Sequence, residues 1–407
     1  MSERVVIIGN SHGAVSVIET LRREGFGGKL ALISGEKIPP YSPTALPYLL
    51  WEKEKERRPL RPAQFYQGID VIETKAISIE PEKSAILLLN RKRIRYDRLV
   101  IATGASPARL PLEGSTGSPL LTLRKTGDLE EIEKRARKGT KVLVVGAGLI
   151  GLHLAQELLK KQKRIHVIEL KGQILPGLVH PELALFLKGL FEQKGIRISL
   201  VASLSEVRGS KALLSSGEKI DCDLILSAIG IRPNLEITGG TSIIVKEGVL
   251  VNEQMETNIP GIYACGDVAE YRDFFNGESR LNPNVVNASD QGRIVGESLT
   301  GKKSLHPGLI TVNTFNCFGS NLFSLGRFIP DPGDRAFEEC DRVKGFFKRI
   351  VFTGDRLKGM VLFNTPVDGG IYYRLMREKV SLKGWEEKIL EDPYLWGKWI
   401  SERAFKE

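Results

Sequence analysis

At 407 residues, with 42% apolar and 27% charged side chains, the chain is long enough for two or three domains with their own cores, and its composition excludes fibrous, collagen-like and disordered classes. A formal net charge of +10 admits acidic partners, yet the densest basic stretch, "NRKRIRYDR" at 90–98, is a short edge between strands, so no nucleic-acid surface is expected. The four cysteines, Cys222, Cys265, Cys317 and Cys340, form no CxxC or CxxxxC pair, so local spacing supplies no iron–sulfur site, zinc site or redox dithiol, and no metal is expected.

The chain opens directly into a strand-like run at 4–8, so no signal segment is expected. A glycine turn follows, then a helix over about 13–24 and a second strand, "KLALIS", at 29–34. The turn reads Gly9-x-Ser11-x-x-Ala14, a dinucleotide fingerprint with its middle glycine replaced. Ser11 adds a Cβ where backbone meets phosphate, but its hydroxyl can donate to a phosphate oxygen. Glu36 closes the second strand and can accept from ribose hydroxyls, and His12 and Gly13 complete the loop.

Residues 71–101 alternate like a short β-meander and end in "YDRLVIATGASP". The opening plan then recurs at 141–169, Gly146 standing 137 residues after Gly9, which predicts two related nucleotide-binding domains. Here the fingerprint is complete. Gly146 permits the tight turn, Gly148 lets the backbone approach a pyrophosphate, and Gly151 allows close helix–strand packing, while Leu149 and Ile150 open the helix whose free N–H groups face the phosphates. Glu169 ends the next strand, 23 residues past Gly146, and a carboxylate there favours NAD over NADP. The most apolar long stretch, 142–159, is broken by glycines, His153, Gln156 and Glu157, so no membrane span is expected and a cytoplasmic location is the default.

Farther on, "LILSAIGIRPN" (224–234) reads as a strand and loop including Gly230, and "GIYACGDVAE" (261–270) as a strand ending at Gly266-Asp267 before a polar loop. Helical spacing follows over 282–301. From about 307 the pattern becomes α+β, with a hairpin around Gly354-Asp355 and then two helices rich in tryptophan. Trp385, Trp396 and Trp399 read as packing residues of a core or of a homodimer, with gating of an electron-transfer surface as the alternative.

Taken as a set, "ATG" at 102–104, "CGD" at 265–267, the two glycine loops and 224–234 resemble the pyridine nucleotide–disulfide oxidoreductase superfamily over residues 4 to about 300. The resemblance implies FAD held by Gly9, Ser11, His12, Gly13, Ala14, Glu36, Thr103, Gly104 and Asp267, the last on the ribityl chain. It implies NAD(H) held by Gly146, Gly148, Leu149, Ile150, Gly151, Glu169 and Gly230. The implied fold is α/β, with a discontinuous FAD domain (1–108 and 250–306), an NAD domain (109–249) and an α+β C-terminal domain (307–407).

The segment "YSPTALPYLL" (41–50) resembles the C-x-L-P-Y segment of coenzyme A-disulfide reductases and NADH oxidases, with Thr44 where their redox cysteine stands. A threonine cannot form a sulfenate or mixed disulfide, so electrons must leave the flavin directly. His153 stands where related reductases carry a glutamate near the nicotinamide, making it a candidate for contacting the nicotinamide amide or relaying a proton; packing on the helix is the alternative. The tail is similar to that of the nitrite reductase flavin module and rubredoxin reductase-type enzymes, and the "GNS" loop resembles flavoproteins accompanying carbon monoxide dehydrogenase. The expected activity is therefore NADH:acceptor oxidoreduction, with hydride transfer between NAD(H) and FAD and single electrons passing to or from a ferredoxin- or rubredoxin-like carrier or a dehydrogenase complex. The alternatives are an NADH oxidase reducing oxygen, a nitrite reductase module completed by another subunit, and a redox-sensing flavoprotein.

Overall fold

The computed structural model describes residues 2–36, 40–52, 59–110, 120–161 and 164–405. Among them are eight α-helices: α1 (His12–Arg23), α2 (Thr126–Arg135), α3 (Leu149–Leu159), α4 (Pro181–Gln193), α5 (Val285–Leu299), α6 (Gly369–Arg377), α7 (Glu386–Glu391) and α8 (Pro393–Ala404). Contacts divide the chain into two compact units, the first drawn from 1–45, 54–106 and 231–310 and the second from 46–53, 107–230 and 311–407.

The first unit is built on a parallel five-stranded sheet. Its spatial order is Ile262–Ala264, Arg98–Ile101, Arg4–Ile8, Lys29–Ser34, Ile69–Glu73. The central strand explains itself: Val5, Val6, Ile7 and Ile8 are all buried, the near-continuous β-branched run that a sheet covered on both faces requires. Helix α1 packs against α5 at unusually close range. A Cβ on Gly292 would lie 2.3 Å from the Gly13 carbonyl oxygen, and one on Gly296 2.6 Å from the Thr20 Cβ. The expected meander divides differently from its sequence pattern. Ile69–Glu73 joins the parallel sheet, while Ala76–Glu80, Ala85–Leu88 and Arg93–Arg95 form a separate antiparallel sheet, its last strand the exposed basic edge.

The second unit repeats the plan in the order Arg197–Leu200, Arg164–Glu169, Lys141–Val145, Leu224–Ser227, Leu120–Leu121, again all parallel. It also contains an antiparallel five-stranded sheet ordered Val312–Cys317, Ser320–Gly326, Arg356–Phe363, Phe346–Thr353, Arg335–Asp341. The hairpin around Gly354-Asp355 is as expected. The tail carries three helices rather than two, because Asp392 caps α8 immediately after α7 ends and Pro393 occupies the first helical position. The three tryptophans pack together in tilted and edge-to-face contacts at centroid separations of 4.4 to 5.9 Å, with Lys388 and Arg403 over their rings. No helix of the described residues is long and apolar enough to cross a membrane.

Candidate functional site

The two glycine loops have the same backbone construction. Gly9 (φ 112°) donates its N–H to the Ile33 carbonyl at 2.9 Å, and Gly146 (φ 104°) donates to Ile168 at 2.8 Å. Both φ values lie where a side chain is strained. Space gives the same answer: a Cβ would lie 2.1 Å from the Ala102 oxygen at Gly9 and 2.5 Å from the Ala228 oxygen at Gly146. Each loop then delivers its helix N-terminus to the C-terminal edge of the parallel sheet, where free N–H groups favour an anion.

Ser11 and Gly148 occupy equivalent places as the N-caps of α1 and α3, with extended backbones of φ −127°, ψ −161° and φ −78°, ψ −173°. Neither conformation needs glycine. A Cβ on Gly148 meets nothing within 4 Å, so that glycine leaves open space at the helix mouth rather than relieving a clash. The Ser11 side chain makes no capping hydrogen bond to α1. Gly151 differs: its Cβ would stand 2.0 Å from the Gly146 oxygen, the close helix–loop approach expected of a third fingerprint glycine. Ala14 carries a Cβ at the matching place in α1 and is fully buried. Leu149 and Ile150 form the first turn of α3, and Gly230, at φ 112°, accepts from the Ala108 N–H.

Glu169 is buried at the strand end, where Oε2 accepts from the Ala147 N–H at 2.7 Å and Oε1 from the Lys171 N–H at 2.8 Å. The carboxylate thus orders the glycine loop as well as presenting acceptor lone pairs beside it. Glu36 lies two residues past its strand, and its carboxylate accepts from the Tyr41 hydroxyl at 2.8 Å. Thr103 Oγ1 donates to the Asn234 carbonyl at 2.9 Å, Asn234 Nδ2 returns a bond to the Thr103 carbonyl, and the Asn234 N–H reaches the Gly104 oxygen. Asp267 lies in the turn after Ile262–Ala264, where the Gly266 N–H is held by Gln291 of α5; the following segment is a strand, Ala269–Arg272, rather than a loop. Sequence reasoning passed over Asn234 and Gln291. The Pro-Asn ending of 224–234 was the available signal for the first; nothing local marked the second.

His153 is buried between two rings, each 4.5 Å from its centroid, Tyr48 and Phe315. The Tyr48 hydroxyl is hydrogen-bonded to His153 Nε2 at 2.7 Å. Burial pulls the His153 pKa down to about 4. A neutral, packed imidazole results. Thr44 is exposed at the start of the 3₁₀ segment Pro43–Leu49, its hydroxyl 2.8 Å from Ser42 Oγ, which lies 2.9 Å from His12 Nε2.

All four cysteines are free thiols. Burial raises the Cys265 and Cys317 pKa values to about 12, and that of Cys222 to about 11, which removes them from thiolate chemistry at neutral pH. No His, Cys, Asp or Glu cluster of metal-binding geometry occurs among the described residues.

Residues 3–292 match the profile of the pyridine nucleotide-disulphide oxidoreductase family. The chain is 27% identical over 414 residues to the epsilon subunit of an NADH-dependent phenylglyoxylate dehydrogenase from Aromatoleum evansii, covering 99% of this chain and 98% of that one. It is 32% identical to a rubredoxin–NAD(+) reductase from Pseudomonas putida, over 74% and 81%. Among solved structures, the ferredoxin reductase of the CYP199A2 system of Rhodopseudomonas palustris superposes with a TM-score of 0.82 at 28% identity, covering 89% of this chain and 91% of the other.

Proposed function

The chain belongs to the pyridine nucleotide-disulphide oxidoreductase family, and from that premise we propose that it is an FAD-dependent NADH:acceptor oxidoreductase whose electrons pass singly to or from an iron–sulfur protein of the ferredoxin or rubredoxin kind. The observation that carries this is the pair of geometrically matched phosphate loops on a chain whose cysteines are all unpaired. The residues fit two dinucleotides. The Gly9–Ala14 loop, with Thr103, Gly104 and Asp267, would hold FAD, and Glu36 would reach its adenosine ribose. The Gly146–Gly151 loop, with Glu169 and Gly230, would hold NAD(H). The domains follow as 1–108 with 250–306 for FAD, 109–249 for NAD and 307–407 for the C-terminal region.

When bound, the flavin supplies the conversion between a two-electron hydride and single electrons. The protein's part is position and electrostatics. Helix N-termini hold the two pyrophosphates, Glu169 selects an unphosphorylated ribose, and Thr44, unable to become a sulfenate, leaves the flavin as the only redox group. The formal charge of +10 suits an acidic carrier through long-range steering. An intracellular location and a homodimer are part of this proposal.

The test is to purify the protein, record the flavin spectrum, and measure NADH oxidation with ferredoxin, rubredoxin, oxygen and disulfides as acceptors. Fastest turnover with an iron–sulfur protein supports the proposal. Turnover with oxygen alone makes it an oxidase, and a well-folded protein without flavin ends it. A second expectation concerns Glu169. Glu169→Ala should raise the KM for NADH about tenfold, or roughly 1.4 kcal/mol, and narrow the preference over NADPH, both read from steady-state kinetics. The substitution also strips the Ala147 and Lys171 N–H groups of their acceptor, so part of the loss comes from a loosened loop.

A further inference from the structure

Three side chains in the first unit form a continuous hydrogen-bonded chain that the phosphate-loop role does not use. Thr44 Oγ1 lies 2.8 Å from Ser42 Oγ, and Ser42 Oγ lies 2.9 Å from His12 Nε2. Two hydroxyls ending on an imidazole can pass a proton, because each hydroxyl accepts on a lone pair while releasing its own hydrogen. The ring is partly buried, and burial, helped by the neighbouring Arg61 charge, holds its pKa below 6.5, so it rests neutral and ready to accept. Arg61 is itself anchored by Glu19 at 2.6 Å.

Proton balance gives this chain a task. A hydride brings two electrons and one proton, whereas an iron–sulfur acceptor removes two electrons singly and takes no proton. One proton per NADH must therefore reach water: NADH yields NAD(+), two electrons and H(+). We propose that Thr44, Ser42 and His12 form the exit path for that proton, running from Thr44 Oγ1 through Ser42 Oγ to His12 Nε2 and from the ring to solvent. This rests on the flavin assignment above, with Thr44 at the flavin. As the proton arrives on Thr44 Oγ1, the threonine's own hydrogen moves to Ser42 Oγ and the serine's moves to the Nε2 lone pair. The imidazolium so formed releases its Nδ1 proton to water, and rotation of the two hydroxyls with return of the ring to the Nδ1–H tautomer restores all three groups. No bond to carbon changes and no electron moves along the path. His12 thus gains a role beyond spacing the phosphate loop.

The test uses Ser42→Ala and Ser42→Thr in the full-length protein. FAD content and the visible spectrum are measured first. Anaerobic stopped-flow then follows reduction by NADH separately from reoxidation by ferricyanide, which takes single electrons and no proton, in water and in deuterium oxide. Reduction should keep its rate in Ser42→Ala, while reoxidation slows about a hundredfold, at the low end of a lost proton-transfer group, and loses its solvent isotope effect. Ser42→Thr, which keeps the hydroxyl, should restore both. Independently of turnover, nitrogen-15 NMR of the flavin-free protein should find His12 Nε2 unprotonated in the wild type. A Ser42→Ala protein that holds FAD and reoxidises at the wild-type rate overturns the proposal, as does a proton resident on Nε2. Absence of FAD from the wild type instead overturns the flavin assignment, so the two failures are distinct.

Discussion

Gly148→Ala is expected to leave the protein folded and to weaken NADH binding by about ten- to a hundredfold, or roughly 1.4 to 2.8 kcal/mol. The two halves of that result have separate causes. Folding is spared because Gly148 has an extended backbone that alanine adopts freely, and because its Cβ would meet no atom within 4 Å. Alanine in place of glycine at such a site costs the folded state nothing and restricts the unfolded chain. On the proposed assignment, binding suffers because the open space at the mouth of α3 would admit a pyrophosphate to the free N–H groups, and a methyl group fills it. Gly151→Ala is the opposite experiment. Its Cβ would sit 2.0 Å from the Gly146 carbonyl oxygen, so the helix must retreat from the loop. Overpacking of that kind costs about 1–3 kcal/mol or more, visible as a lowered melting temperature before any ligand is added. Calorimetric titration with NADH, beside thermal melts of both variants, separates the two. A Gly148→Ala protein that binds NADH like the wild type would refute the assignment of this loop.

The same contrast explains why the first loop was harder to read. Gly9 and Gly146 were legible because a tight turn after a buried strand demands positive φ, a requirement written in residue type. Ser11 looked like a lost glycine, yet the middle position never required glycine conformationally; both N-caps are extended. What glycine supplies there is room, and room depends on the ligand. Topology was less legible. The pattern of 71–101 gave strands correctly, but only the long-range pairing of Leu30 with Ile69 and its neighbours shows that the first of them belongs to the parallel sheet. The Tyr48–His153 bond joins residues 105 apart in sequence, and no local pattern encodes such a partner. Ser42 was invisible for a related reason: a serine in a proline-rich loop reads as turn chemistry until its neighbours are known.

The second large effect is on acid stability. His153 and His166 both lie in the second unit, nearly buried, with pKa values brought to about 4. For His153 the cause is burial; for His166 it is burial first, then the Arg197 charge, with Glu218 opposing, while its Nε2 lies 2.8 Å from Ser199 Oγ. The sign follows from proton counting. A histidine whose folded pKa lies below its unfolded value near 6.5 binds more protons when unfolded. Its contribution is therefore intact above pH 6.5, is lost as the pH falls from 6.5 to 4, and changes little further below that. Within the window each such group tilts the unfolding free energy by at most about 1.4 kcal/mol per pH unit. The full swing is on the order of 3 kcal/mol per histidine, a large share of the 5–15 kcal/mol typical of a folded protein. His12 and His180, shifted in the same direction, add to the same slope. His153→Gln keeps a hydrogen-bonding partner for the Tyr48 hydroxyl but does not titrate, so its stability should fall less steeply over this range. Urea unfolding at half-unit steps from pH 7 to 4.5, above the region where most carboxylates titrate, measures both slopes. A wild-type protein equally stable at pH 7 and pH 4.5 would mean that His153 does not sit neutral between Tyr48 and Phe315. Parallel curves for wild type and His153→Gln would assign the acid sensitivity to the other histidines.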